Sequence, residues 1–197
     1  MARVEWKSGN MLYPLPVVLV TSRSPEGEDD IMTAAWAGTI CSDPVMVSVS
    51  VRPSRLTYDY ITRSGCFVIN LATEALARAT DYCGVRSGRD EDKFAAMALE
   101  KEEARHISCP MVKASPVSLE CVVTESRDLG SHTMFMAKVA AVHVDEAYLD
   151  EKARLHLNDA RLIVYSYGEY RKVGDRLGTF GFSVEKKKKR TLPHRRR

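Results

Sequence analysis

The sequence predicts a mainly β protein, a closed or partly closed antiparallel barrel with peripheral helices. Apolar residues alternate with a period of two in the clearest segment and otherwise fall in short strand-length runs. Polar turn clusters separate neighbouring runs, as hairpins require. Helical stretches are few and interspersed among the hairpins, with few β-α-β units.

The elements follow in order. PVVLVT at 16–21 is a short apolar run, and SRSPEGEDD at 22–30 is a turn cluster holding Pro25 and Gly27. IMTAAWAGT at 31–39 resumes an extended, small-residue segment, so the two runs form a hairpin with a wide loop. In VMVSVSV at 45–51, Val45, Val47, Val49 and Val51 take one face, and Ser48 and Ser50 take the other. CFVINL at 66–71 is another strand. Residues 118–125 and 132–144 flank the turn at 127–131 and make a second hairpin, and 161–165 is a last short strand. Three helices are expected. Ser54 caps one running through Ile61, Thr73 caps 74–82 with Gly84 near its end, and Asp90 caps 91–99.

A length of 197 residues favours one large domain, set here at 1–184. The segment 185–197, EKKKKRTLPHRRR, carries eight Lys/Arg and one Glu, a net +7; with +3 for the whole chain, this leaves −4 for the rest. A block of like charge reads as a disordered, solvated tail. It could touch an anionic surface. No aromatic residue interleaves with the charges, which disfavours nucleic acid as a partner. No apolar run approaches the ~20 residues of a membrane helix. The nearest, MLYPLPVVLV, holds Pro14 and Pro16 and is followed by no cleavage pattern, so a cytoplasmic protein with no membrane partner is expected. Five cysteines without a CxxC pair argue against a disulfide framework and a zinc site. Cys66 and Cys121 read as small buried hydrophobes.

Much familiar chemistry is missing. No GxGxxG follows a strand, and GxxxxGK[ST], HExxH and GxSxG do not occur. The five histidines are scattered without ligand spacing. No metal site and no set of catalytic side chains is expected. A chain with no evident acid, base or nucleophile points to a cofactor that carries the chemistry.

Two segments carry anion-binding groups. In VSVSVRPSRL the serines stand on the non-core face, and Arg52 ends the strand with a planar fork suited to phosphate. Ser54 and the following helix start add donors. Taken alone, an arginine at a strand end is more often simply solvated. In DYCGVRSGRDEDKF at 81–94, Gly84 and Gly88 permit close backbone approach, and Ser87 and Lys93 add donors. A plain helix-to-helix loop capped by Asp90 explains only part of that string.

These strings, in this order, resemble the flavin reductase-like, FMN-binding split-barrel family, in the branch that includes flavoredoxins. The matching segments are MTAAW at 32–36, SDP at 42–44, SVRPSRLTYDYI at 50–61, GCFVINL at 65–71, CGVRSGRDEDKF at 83–94, SPVSLEC at 115–121 and GEYRKVGDRLGTFGFSV at 168–184. The resemblance covers about residues 10–184. It implies a Greek-key antiparallel split β-barrel, a homodimer, and FMN at the dimer edge. By position, Thr33, Ala34, Ala35, Trp36 and Thr39 would flank the flavin ring, largely through backbone. Ser48, Val49 and Ser50 would line a second strand. Arg52, with Ser50, Ser54 and Tyr58, would hold the phosphate, and Ser87, Gly88 and Lys93 would close over it. Read without the family, Trp36 is more often a core residue than a cofactor partner, Tyr167 and Tyr170 either reach a neighbouring subunit's flavin edge or simply pack, and Cys83 is structural. The implied activity passes hydride from NAD(P)H to bound flavin and electrons onward to an acceptor. The alternative is a flavoredoxin-like electron-transfer protein with protein redox partners.

Overall fold

The computed structural model describes residues 1–184; the basic tail at 185–197 lies outside them. The strands are β1 (Leu15–Pro16), β2 (Val18–Arg23), β3 (Asp29–Ala34), β4 (Ala37–Ser42), β5 (Val45–Val51), β6 (Cys66–Leu71), β7 (Lys101–Glu103), β8 (Pro110–Val112), β9 (Val117–Asp128), β10 (Thr133–Val144), β11 (Ile163–Ser166) and β12 (Glu169–Lys172). The α-helices are α1 (Leu56–Ser64), α2 (Ala77–Val85) and α3 (Lys93–Ala96).

Seven strands pair antiparallel in the order β3-β2-β6-β9-β10-β5-β4. The two outermost, β3 and β4, are consecutive in the chain and joined only by Ala35 and Trp36. Two residues cannot cross a flat seven-stranded sheet, whose strands are ~4.8 Å apart. The sheet therefore curls until its two edge strands come together, and Ser50 N donates to Trp36 O at 2.8 Å, carrying the β4–β5 pairing one residue into the turn. Register shifts in the β9–β10 pair, at Met136/Ala137 and Val139/Ala141, and in the β4–β5 pair, at Thr39/Cys41, supply local bends. The result is a split barrel with a seam between β3 and β4.

The barrel interior takes Val18 and Val20 from β2, Val47, Val49 and Val51 from β5, Phe67 and Ile69 from β6, and Phe135 from β10. Each large apolar side chain so buried contributes roughly 1.5–3 kcal/mol. Val45, expected on the same face, is half exposed at the strand's first position. β2 is apolar on both faces because Leu19 turns outward, joining Ile31, Cys83, Phe94 and Val112 between the sheet and the helices. A small sheet, β1-β11-β12, packs beside the seam.

The local differences from sequence expectation have physical causes. The segment 31–39 is two strands, because the chain turns at Ala35–Trp36 to pass from one sheet edge to the other. The first helix begins at Leu56 behind an extended Arg55, with no side-chain cap, so Ser54 does not cap it. Thr73 pairs with Leu162 in an isolated bridge, and the second helix starts only at Ala77. Gly84 lies inside its last turn, where an added Cβ would stand 3.3 Å from Thr33. Asp92, not Asp90, caps the third helix, accepting from Phe94 N at 2.9 Å and Ala95 N at 3.2 Å. The strands at 15–16, 101–103, 110–112 and 169–172 are too short for a periodicity to register.

Candidate functional site

The seam opens into a groove of two adjoining cavities, about 550 and 360 Å³, which share Asn10, Ala35, Trp36 and Ser50. Strand alternation builds its floor. Val47, Val49 and Val51 point into the barrel, so Ser48 and Ser50 point out of it, and Ser50 sits one residue before the end of β5. The turn at Ala35–Trp36 brings the indole to the junction of the two cavities; Trp36 belongs to none of the buried core clusters. The larger cavity is mostly apolar, walled by Met11, Leu12, Tyr13 and Leu15 of the N-terminal segment.

The smaller cavity is cationic. It is lined by Arg52, Arg55, Ser131, His132 and Tyr165. Neither cavity has an aspartate or glutamate in its lining. Arg52 is exposed and makes no ion pair among the described residues. Arg55 donates to Gly84 O at 2.8 Å, which sets its charge against the carbonyl end of α2. The antiparallel register places Thr133 opposite Val51, so His132 falls beside Arg52. Burial, and secondarily the nearby Arg52 charge, lower the His132 pKa, which keeps the imidazole neutral at pH 7. Its Nδ1 lies 2.9 Å from Ser131 Oγ.

A wide apolar slot with small residues at its floor, joined to an unpaired guanidinium, fits a flat ring system carrying one phosphate. The fit extends to backbone. β3 pairs only with β2, and β4 only with β5, so each presents an unpaired main-chain edge at the seam. Such an edge offers N–H and C=O groups to the polar rim of a heterocycle.

The residues singled out from sequence divide in two. Thr33, Ala34, Ala35, Trp36, Ser48, Ser50 and Arg52 line the groove. Of these, Ala34 turns its side chain into the core, and Thr33 donates its hydroxyl to Thr80 O, so both meet the groove through backbone. The other seven stand elsewhere. Val49 is fully buried in the barrel because it alternates with the two serines. Thr39 is exposed on β4 outside the groove, and Ser54 is exposed and takes no part in its lining. Tyr58 packs on Phe135 with ring centroids 5.7 Å apart. Ser87 Oγ accepts from Arg89 N at 3.2 Å. Gly88 lies against Asp30, where an added Cβ would stand 2.1 Å from the carboxylate oxygen.

Lys93 is the clearest correction. Its ammonium lies 3.0 Å from Asp30 Oδ1, with both side chains almost wholly buried, at 3% and 2% exposure. Thr57 donates to the other carboxylate oxygen. The amine thus neutralises an internal charge instead of closing over a ligand. Cys83 is fully buried, and burial pushes its thiol up to about 11. Tyr170 packs edge-on to Tyr165, while Tyr167 is exposed and edge-on to Tyr13. Sequence reasoning missed Asn10, Tyr13, Arg55, His132 and Tyr165 as groove residues. Arg55 had a signal, as the second arginine of RPSR; the others depend on register and chain crossing.

Comparison with known proteins bears on this groove. Residues 10–174 match the family model of the flavin reductase like domain. A solved flavoredoxin of Desulfovibrio vulgaris is similar at 31% identity with a TM-score of 0.86, covering 93% of this chain and 100% of its own. A solved FMN-binding domain of a flavin reductases-like enzyme from Shewanella baltica is 25% identical with a TM-score of 0.72, covering 83% of this chain and 88% of its own. Among curated proteins, the NADH-dependent flavin reductase StyB of Pseudomonas fluorescens is 25% identical over 136 residues, 69% of this chain and 75% of its own.

Proposed function

We propose that this chain, which belongs to the flavin reductase-like family, binds FMN in the seam groove and works as an NAD(P)H-dependent flavin oxidoreductase. The observation that carries the reading is the pairing of an apolar slot at Trp36 with a carboxylate-free cavity at Arg52. One arginine with no internal partner suits a single terminal phosphate, which favours FMN over unphosphorylated riboflavin. The relatives' names support the same choice, one being FMN-binding and one NADH-dependent.

A flavin held here supplies hydride acceptance and onward electron release. The chain's own residues bind and orient. Arg52 anchors the phosphate through paired N–H donors, and Ser50 adds a hydroxyl. Trp36, Ala35 and Ser48 bound the ring, with small side chains that admit it close to the strand. The backbone edge at 33–36 directs N–H and C=O groups to the ring's polar rim. Neutral His132 can donate or accept one hydrogen bond without adding charge beside Arg52.

A flavoredoxin-like electron carrier is the second reading, favoured by the likeness to the flavoredoxin structure. It uses the same groove with a protein donor in place of nicotinamide. We further place the functional unit as a homodimer in the cytoplasm. Absorbance spectra of purified protein with FMN, then with NADH or NADPH under anaerobic conditions, separate the readings. Bleaching by a nucleotide supports the reductase. A bound flavin that ignores both nucleotides yet is reduced by dithionite supports the carrier. Failure to bind FMN refutes both.

A further inference from the structure

At the end of β6 away from the seam groove, two cysteine side chains meet. Cys66 opens β6, directly after the left-handed Gly65 that ends α1. Cys109 lies immediately before β8, in the loop at 104–109. Their sulfurs are 3.6 Å apart, although the residues are 43 positions apart in sequence. The sequence offered no reason to pair them, and Cys66 reads there as a buried hydrophobe. In the fold it is partly exposed, whereas Cys109 is fully buried.

The surroundings hold the pair in place. Glu120, itself fully buried, accepts from Arg105 N and His106 N, both at 2.8 Å, which seats the loop on the sheet. Ala104 N donates to Cys109 O at 3.1 Å and closes the loop on itself. Val68 and Met111 pack around the sulfurs. The hydrogen bond from the Cys109 side, with help from Ser64, lowers the Cys66 thiol, while the same contact and burial raise Cys109. The remaining cysteines differ. Cys121 and Cys83 are buried thiols pushed up to about 12 and about 11, and Cys41 is far away on β4. A disulfide requires the sulfurs to close by about 1.5 Å, within the reach of a rotamer adjustment and a small loop shift.

We propose that Cys66 and Cys109 form a reversible intramolecular disulfide when the protein meets a hydroperoxide. The thiolate of Cys66 attacks the peroxide oxygen, the O–O bond breaks, and the departing oxygen leaves as hydroxide or alkoxide and takes up a proton. Cys66 is then a sulfenic acid. The sulfur of Cys109 attacks the Cys66 sulfur, its S–H proton is released, and the S–O bond breaks to give water. Two thiols are oxidised by two electrons, and one peroxide is reduced. The preformed contact makes the second step intramolecular, so it outruns further oxidation of Cys66. The bond fastens the loop at 104–109 to the start of β6. It depends on neither reading of the flavin groove.

The test uses the reduced full-length protein, treated with hydrogen peroxide at low molar excess, with and without FMN. Unreacted thiols are blocked, and intact mass and non-reducing peptide mapping follow. The expected result is loss of two of the five thiols, one link between the peptides holding Cys66 and Cys109, and reversal by dithiothreitol. In Cys109→Ser the same treatment leaves a sulfenic acid at Cys66 that dimedone traps. Retention of all five thiols overturns the proposal, as does a link between any other pair. The wild-type map decides by itself if the variant does not fold.

Discussion

Replacing Arg52 with alanine removes the groove cation whose side chain has no partner among the described residues. A charged hydrogen bond to phosphate is worth about 1.5–3 kcal/mol. Arg52 is exposed, so water and salt screen its charge, which places the loss at the lower end of that range. At 1.36 kcal/mol per tenfold, FMN affinity should fall about 10-fold, and no more than about 160-fold. Quenching of FMN fluorescence reports the affinity, and circular dichroism confirms the fold. Riboflavin, which lacks the phosphate, is the internal control, and its affinity should not change. Arg52→Lys keeps the charge but loses the fork and should recover part of the loss. Unchanged FMN affinity in a folded variant refutes the phosphate assignment. Equal weakening of riboflavin refutes it differently, showing that Arg52 shapes the slot and holds no phosphate.

Lys93→Met leaves the Asp30 carboxylate buried with only the Thr57 hydroxyl, and should cost about 3–5 kcal/mol of stability in urea unfolding while FMN affinity is kept. A stable variant that binds FMN poorly would return Lys93 to the site. Burial opposes ionisation of Glu120, but the N–H groups of Arg105 and His106 and the His143 ring outweigh it and hold the carboxyl below its ordinary value of 4.5. A depressed folded value gives stability that is present above pH ~4.5 and lost as pH falls through the folded value. Acidification should therefore destabilise the wild type more steeply than Glu120→Gln, and speed hydrogen exchange at 105 and 106; parallel pH curves would disprove the tether. Tyr165→Ala removes the edge-on contacts at 6.0 Å to Tyr13 and 5.9 Å to Tyr170, each about 0.5–1.5 kcal/mol, and should loosen the N-terminal wall and weaken FMN several-fold. Unchanged binding would show that this wall does not contact the flavin.

What could be read from sequence follows the length of the pattern. VMVSVSV is seven residues long, and its alternation alone places Val49 inward and the serines outward. The long β9–β10 hairpin was visible for the same reason, while the two- and three-residue strands carried no pattern. The site was legible where strand alternation or strand ends expose it, at Ser48, Ser50 and Arg52. It was illegible where tertiary pairing decides. Lys93 and Asp30 are 63 positions apart, and nothing local says that each neutralises the other. Val49 cannot join Ser48 and Ser50 in the groove, because the period of two that turns the serines outward turns it into the barrel.

The position of the groove follows from how the barrel closes. A sheet that must join β3 to β4 through two residues leaves both edge strands short of partners at one place. Exposed edges attract other strands, and proteins commonly cover or interrupt them. Here Trp36 and the N-terminal segment crowd the seam without pairing it, which leaves main-chain donors and acceptors facing the slot. A heterocycle with polar groups along one rim would satisfy that edge. Arg52 directly follows β5, the strand that carries the floor of the slot, so under the proposed reading the phosphate anchor and the ring platform would come from one stretch of seven alternating residues and the arginine that follows. The division between reductase and carrier must therefore lie outside this shared architecture, in what reaches the open face of the slot.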